Sequence, residues 1–241
     1  MPDVSPPQIR EVRSSRDPAF LRAYRLLAGV FPRDELLPRR DWIATMRERE
    51  SGLWTDLNWH VLVAERGPRL LGVATGSYVG SLNIGVIGYI AVARRLRSRG
   101  VGPRLRRRIR AAFEADARRI PGRPLVALVG EVRPDNPWLH HLVRREGALA
   151  LDFPYYQPSL RRQPEPVALV LYYQALQRRR KWLSPSEVRR LLYTLWRRPY
   201  RVGRPLTRAA FRRMLRALAG RRRIGPRPLP SATRGPRRDI E

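Results

Sequence analysis

Six consecutive residues, Arg97-Ser98-Arg99-Gly100-Val101-Gly102, set guanidinium charge beside two glycines. They lie between an apolar run closing on Tyr89-Ile90-Ala91-Val92 and an amphipathic stretch opening at Pro103. This is chemistry for an anion, and for a diphosphate in particular. Glycines let the backbone turn and approach phosphate oxygens, free amides at a helix start point towards them, and the helix dipole adds favourable potential. Arg97, Arg99 and Arg104 supply further positive charge. Pro103 suits a first helical turn but has no N–H, so binding leans on the neighbouring amides and arginines. A dinucleotide fingerprint is excluded because its third glycine would fall on Leu105, and no Gly-Lys-Ser or Gly-Lys-Thr phosphate loop occurs.

The elements that must position this loop follow from periodicity. Ile9 to Val12 alternates as a strand; Asp17-Pro18 then opens a helix with Phe20, Tyr24 and Leu27 on one face. A second helix is predicted over 40–50, with Trp42 and Met46 on one side. Trp59 to Glu65 and Leu70 to Tyr78 flank Gly67-Pro68 as a hairpin, and Gly85 to Val92 is apolar enough to be buried on both faces. Past the loop, Leu105, Ile109, Ala112 and Phe113 form a helical stripe over 103–119, with arginines 104, 106, 107, 108 and 110 turned mostly outward. A strand over 125–132, a helix over 137–145 and a strand over 167–173 complete a mixed α/β order.

At these residues the sequence resembles the GNAT superfamily of acetyl-coenzyme A dependent acyltransferases. Its signature, Gln or Arg, two residues, Gly, one residue, Gly or Ala, is met by Arg97, Gly100 and Gly102; Asn136 and Gly147 match a second, separated pair. The resemblance spans roughly 9–173 and implies a mixed-sheet GNAT-like fold, with acetyl-coenzyme A as donor and direct transfer to an amine of a small molecule or protein. It places Ile90, Ala91, Val92, Arg97, Arg99, Gly100, Val101, Gly102, Arg104 and Asn136 at the cofactor, with backbone amides near 90–92 polarising the thioester carbonyl. A base must take the ammonium proton, and Glu131, ending a strand, and Glu35, in Phe31-Pro32-Arg33-Asp34-Glu35, are the candidates. The family's usual acid, a tyrosine seven residues after the Asn, is replaced here by Val143. Tyr155, Tyr156, His140 and His141 are the available substitutes, with Tyr155 taken as the catalytic one. With three histidines and no cysteine, no metal site is expected. The missing tyrosine also supports a rival reading, a regulatory or nucleic-acid-associated protein that senses acyl-coenzyme A without turnover.

The chain has 241 residues and is 43% apolar, enough for one full core. The longest apolar run, Ile84 to Ala93, is about half of what spans a bilayer, and the start lacks a secretory pattern, so a cytoplasmic protein is expected. Residues 1–91 hold 12 arginines against 10 acids while 92–241 hold 38 cations against 10, so +28 of the +30 charge lies in the second stretch. Three parts follow: a catalytic domain over 1–176, a basic helical extension over 177–220 and an Arg/Pro-rich disordered tail over 221–241. Ser184-Pro185-Ser186-Glu187 is a capping box opening a helix with stripe Val188, Leu191, Leu192 and Leu195; Phe211, Met214, Leu215 and Leu218 form a second. These stripes favour packing on the domain, while the tail is the better candidate for nucleic acid or an anionic surface. A homodimer is one option for the assembly.

Overall fold

The computed structural model describes residues 7–53, 56–96, 99–160 and 166–229. Two sequence expectations lie outside them: Arg97, and the part of the tail beyond 229. In chain order the elements are β1 (Gln8–Val12), α1 (Pro18–Ala28), α2 (Arg39–Glu50), β2 (Leu57–Arg66), β3 (Arg69–Val79), β4 (Ile84–Val92), α3 (Val101–Arg119), β5 (Ala127–Val132), α4 (Pro137–Glu146), β6 (Leu149–Ala150), β7 (Tyr155–Gln157), β8 (Val167–Ala175), α5 (Pro185–Arg197) and α6 (Ala209–Ala217). The sheet runs β1-β2-β3-β4-β5-β8-β6, and β7 pairs with β8. β4 and β5 are parallel; the other pairs are antiparallel. No helix among the described residues is long and apolar enough to cross a membrane.

Local sequence accounts for the helix starts. Asp17 caps α1 by accepting from the Ala19 amide at 2.8 Å, and Asn136 caps α4 by accepting from Trp138 at 2.9 Å, each followed by proline. The box at Ser184 is reciprocal: its hydroxyl accepts from the Glu187 amide while the Glu187 carboxylate accepts from the Ser184 amide. Each cap holds about 1 kcal/mol of helix stability.

The sheet sorts the helices into two layers. Leu105, Ile109, Phe113 and Ala117 of α3 are fully buried against Leu62, Ala74 and Leu128, and α4 packs beside them through Leu139 and Leu142 on Val170 and Tyr172. On the opposite face α1 and α2 bring Phe20, Leu27, Trp42 and Met46 onto Val61, Val63 and Val73. The stripes of α5 and α6 join that same face, against Val129, Leu169 and Leu171. Fully burying side chains of this size stabilises by about 1.5–3 kcal/mol each. A charged tie crosses the first layer: His60 of β2, 4% exposed, lies between Glu11 of β1 at 2.6 Å and Asp116 of α3 at 2.8 Å.

Several expectations need correction. β4 is continuously buried only over Ile84–Ile87; beyond it Gly88 is exposed and Tyr89, Ile90 and Val92 are half-buried, with Ala91 alone buried there, because that half borders clefts. Arg106 is turned inward and 6% exposed, unlike Arg107, Arg108 and Arg110, which are exposed. Residues 221–229 are not disordered: Ile224 is fully buried and pairs with Leu183, and Pro226 bridges to Leu151. β6 and β7 were not foreseen.

Candidate active site

β4 and β5 pair only from Ile84↔Ala127 to Ile87↔Gly130. Beyond that, β4 continues to Val92 on β3 and β5 continues to Val132 on β8, so the two strands part. A bulge sits at the parting point: opposite Thr75 and Gly76 the register passes from Tyr89 to Ile87, leaving Gly88 out of the ladder. The sheet therefore opens at its centre, and a cleft lies on each side of the opening.

The cleft on the α3/α4 side is lined by Ile87, Gly88 and Ile90 from β4, Gly102, Pro103 and Arg106 from α3, and Asn136 and Trp138 from the start of α4. Gly100 makes the turn into α3 at φ 75, a left-handed conformation that side chains with a Cβ resist. It opens α3, whose first-turn residues Gly102 and Pro103 line this cleft and whose Val101 and Gly102 amides have no carbonyl one turn earlier within the helix. Arg106 reaches in from α3, held by Glu146 at 2.9 Å, Gln174 at 2.8 Å and the Tyr172 hydroxyl at 3.5 Å. Tyr172 lines the same cleft, its hydroxyl lying over Gly130, where a Cβ would stand only 2.5 Å away. Burial pushes the Tyr172 hydroxyl up, against a lowering by Arg106, so it stays protonated at neutral pH.

The second cleft opens on the other face. Its walls are Phe31, Trp42, Trp59 and Tyr89, with Leu57, Val86 and Leu169, and residues 198–201 beyond α5 border it. That segment is tied across to the rest of the chain: Arg198 pairs with Asp56, and Arg201 with Glu48 at 2.5 Å and Thr45 at 3.1 Å. Five residues, Phe31, Glu35, Ile87, Gly88 and Glu131, line both clefts and so mark where they meet. Of the two carboxylates there, Glu35 is 9% exposed and ion-paired with Arg133. Glu131 has no cationic partner among the described residues; its two oxygens accept from the hydroxyls of Tyr155 and of Tyr200, the latter at 2.5 Å. Burial pushes Glu131 up to about 7, against the lowering effect of the two tyrosine hydrogen bonds, with Glu35 adding a further rise. A carboxylate with that affinity for a proton is poised to accept one near neutral pH.

A protein-family model described as the Acetyltransferase (GNAT) family matches residues 23–148, more than half of the chain. The chain belongs to the GNAT acetyltransferase family. No curated protein matches it. Among solved structures, a GNAT-family protein from Bacteroides thetaiotaomicron superposes with TM-score 0.59 at 16% identity, over 81% of this chain and 99% of that one, which shows the fold. Also similar are yncA from Salmonella typhimurium with its cofactor acetyl-CoA (TM-score 0.48, 18% identity, 72% and 96% covered) and the ribosomal-protein-S18-alanine N-acetyltransferase from Escherichia coli (TM-score 0.45, 15%, 71% and 95%).

Within this GNAT chain the residues singled out from sequence divide sharply. Ile90, Gly102 and Asn136 line the α3/α4 cleft, and Arg99 and Gly100 are exposed at the turn leading to it. Ala91 is buried in the α1/α2 layer, Val101 is buried at the start of α3, and Val92 is half-buried against the α3 core, so the side chains of Ala91 and Val101 are not offered to a ligand. Arg104 is spent on the Pro7 carbonyl at 3.0 Å and does not line the cleft. Glu35 and Glu131 do converge. Tyr155 does not reach either cleft: it is 1% exposed and lies behind Glu131 as a hydrogen-bond donor, its own hydroxyl pushed well up by burial and by that carboxylate. Val143 packs against the α4 core. His141 stacks on Trp138 at 4.5 Å, and neither histidine of α4 lines a cleft. Arg106, Arg133, Tyr172 and Tyr200 were missed, because each is brought in by contacts 40 or more residues apart in sequence.

Proposed function

We propose that this protein is an N-acetyltransferase that moves the acetyl group of acetyl-coenzyme A directly to a primary amine, with Glu131 as base and Tyr172 as acid. The observation that carries the reading is that Glu131 stands where the two clefts meet, so a donor in one and an acceptor in the other share a single proton acceptor. The α3/α4 cleft fits the donor: a glycine turn opens the helix whose first residues line it, Arg106, ion-paired with Glu146, borders it, Gly102 has no side chain to fill it, and the edge of β4 beyond Ile87 is unpaired towards β5. When bound, the thioester supplies an activated acetyl carbon whose C–S bond breaks as the N–C bond forms.

The chain's own residues then move protons. An incoming ammonium loses one proton to Glu131, which the nearby Tyr155 and Tyr200 hydroxyls hold in place and which passes the proton on to solvent. Nitrogen gives its second proton to Glu131, emptied to solvent by then, as the amide forms, and the departing thiolate takes the proton of Tyr172, which lines the cleft and regains one from solvent. Glu35 serves differently: its ion pair with Arg133 removes it as a free base and fixes the rim of both clefts. Thiol release from acetyl-coenzyme A across an amine panel tests the reading. Turnover that is lost in Glu131→Gln supports it. Binding of acetyl-coenzyme A with no turnover on any amine overturns it and favours an acyl-coenzyme A sensor.

A further inference from the structure

The second cleft carries information about the acceptor, through its charges and through what its donors lack. The charged groups lining it are Glu35, Arg49, Arg198, Arg201 and Glu131. Four of them are already neutralised in ion pairs: Glu35 with Arg133, Arg49 with Glu11 at 2.8 Å, Arg198 with Asp56 and Arg201 with Glu48. Among the described residues only Glu131 is left to face a cation, and it stands at the inner end, beside the other cleft. A polyamine or aminoglycoside would have to strip its second and third ammonium groups of water with no carboxylate to receive them, at a cost of several kcal/mol each.

The rest of the wall suits a flat apolar body. Trp42 and Trp59 meet edge to face at 5.2 Å and Phe31 meets Tyr89 at 5.1 Å, so the cleft is bounded by ring faces and edges that pack well against another ring. Two residues lining it each carry a buried donor with no partner among the described residues, Trp42 Nε1 of α2 and Gln157 Nε2 of β7; the residues are 1% and 4% exposed. Buried donors are costly to leave unmade, and a ligand oxygen that accepts from them recovers that cost on binding.

We propose that the acceptor is an aromatic monoamine carrying a neutral oxygen acceptor at the end remote from the amine. Its single ammonium faces Glu131, its ring lies among Phe31, Trp42, Trp59 and Tyr89, and its oxygen accepts from Trp42 Nε1 and Gln157 Nε2. This rests on the reading of the second cleft as the acceptor site. The test uses the full chain with acetyl-coenzyme A and three amines, 4-methoxyphenethylamine, phenethylamine and spermidine, followed by thiol release and, separately, by calorimetric binding in the presence of coenzyme A. The expected order of kcat/KM is methoxyphenethylamine over phenethylamine by about tenfold and over spermidine by at least a hundredfold, with Gln157→Leu reducing the methoxy preference. Spermidine equal to or better than the aromatic amines, or a methoxy compound no better than phenethylamine, overturns the proposal. The same order seen in binding but without thiol release keeps it and overturns the transferase reading; no binding and no turnover with any of the three overturns it.

Discussion

Replacing Glu131 by glutamine keeps the shape of the side chain and an oxygen that can accept from Tyr155 or Tyr200, but removes the proton acceptor. Two consequences can be sized from the structure. In the reaction, general-base catalysis is worth about a hundredfold to ten-thousandfold, so kcat/KM falls by that factor at pH 7.5, and the rise of kcat/KM through a pKa of about 7 disappears with it. In the fold, the carboxyl is raised from 4.5 to about 7, so between those values the folded chain holds a proton that the unfolded chain has released. Stability contributed by the neutral form is therefore whole below pH 4.5 and is lost as the pH climbs through 7, by up to about 1.4 kcal/mol per pH unit and about 3 kcal/mol in all. Glu131→Gln should lack this part of the slope, so its stability relative to the parent improves from pH 4.5 through about 7 and then levels off. Denaturant unfolding at half-unit pH steps, beside pH–rate profiles of both proteins, measures both. A variant within threefold of the parent that still shows a limb near pH 7, or a stability difference that is flat with pH, refutes the reasoning.

Other outcomes follow from the same site and its supports. Tyr200→Phe removes a hydrogen bond that lowers the Glu131 pKa, so the rate limb moves to higher pH and kcat/KM at pH 7 falls about tenfold, read from the same profile. Tyr172→Phe lowers kcat about a hundredfold while leaving the Kd for coenzyme A within threefold, provided the thiolate needs this donor; an unchanged kcat removes Tyr172 from the mechanism. His60 is opposed by burial, yet its hydrogen bonds to Asp116 and Glu11 hold its proton affinity above the ordinary value, so the ion triad stabilises fully below pH 6.5 and its contribution fades as the pH rises from there through the folded-state pKa. A Tm that declines above neutrality in the parent and less so in His60→Gln checks it.

The parts legible in the sequence were those written in local signals. The strand, glycine loop and helix around residues 89–119 and the Asn136 cap needed only periodicity and turn chemistry, and the structure has them within two residues. What stayed hidden depends on distance. Arg106 sits one position from Leu105 in a run of arginines, and nothing local distinguishes the one that finds Glu146 and Gln174 from those left in solvent. Tyr172 and Tyr173 are adjacent in an apolar strand; which faces the cleft is decided by the α4 layer, and Gly130 makes room for its hydroxyl. Tyr200 follows a helix that reads as an appendage, yet the ion pairs of Arg198 and Arg201 bring it 69 residues back along the chain to Glu131. Strands of two and three residues, β6 and β7, are too short to show a period at all.

The α3/α4 cleft as the seat of acetyl-coenzyme A is tested most directly by calorimetric titration of the full chain with that compound, run beside Gly102→Trp, whose indole would fill the mouth of the cleft next to Val92. One-to-one binding in the parent and its loss in the variant, with both proteins unfolding at the same denaturant concentration, is the expected result. No heat of binding in the parent, or equal affinity in the two, contradicts it.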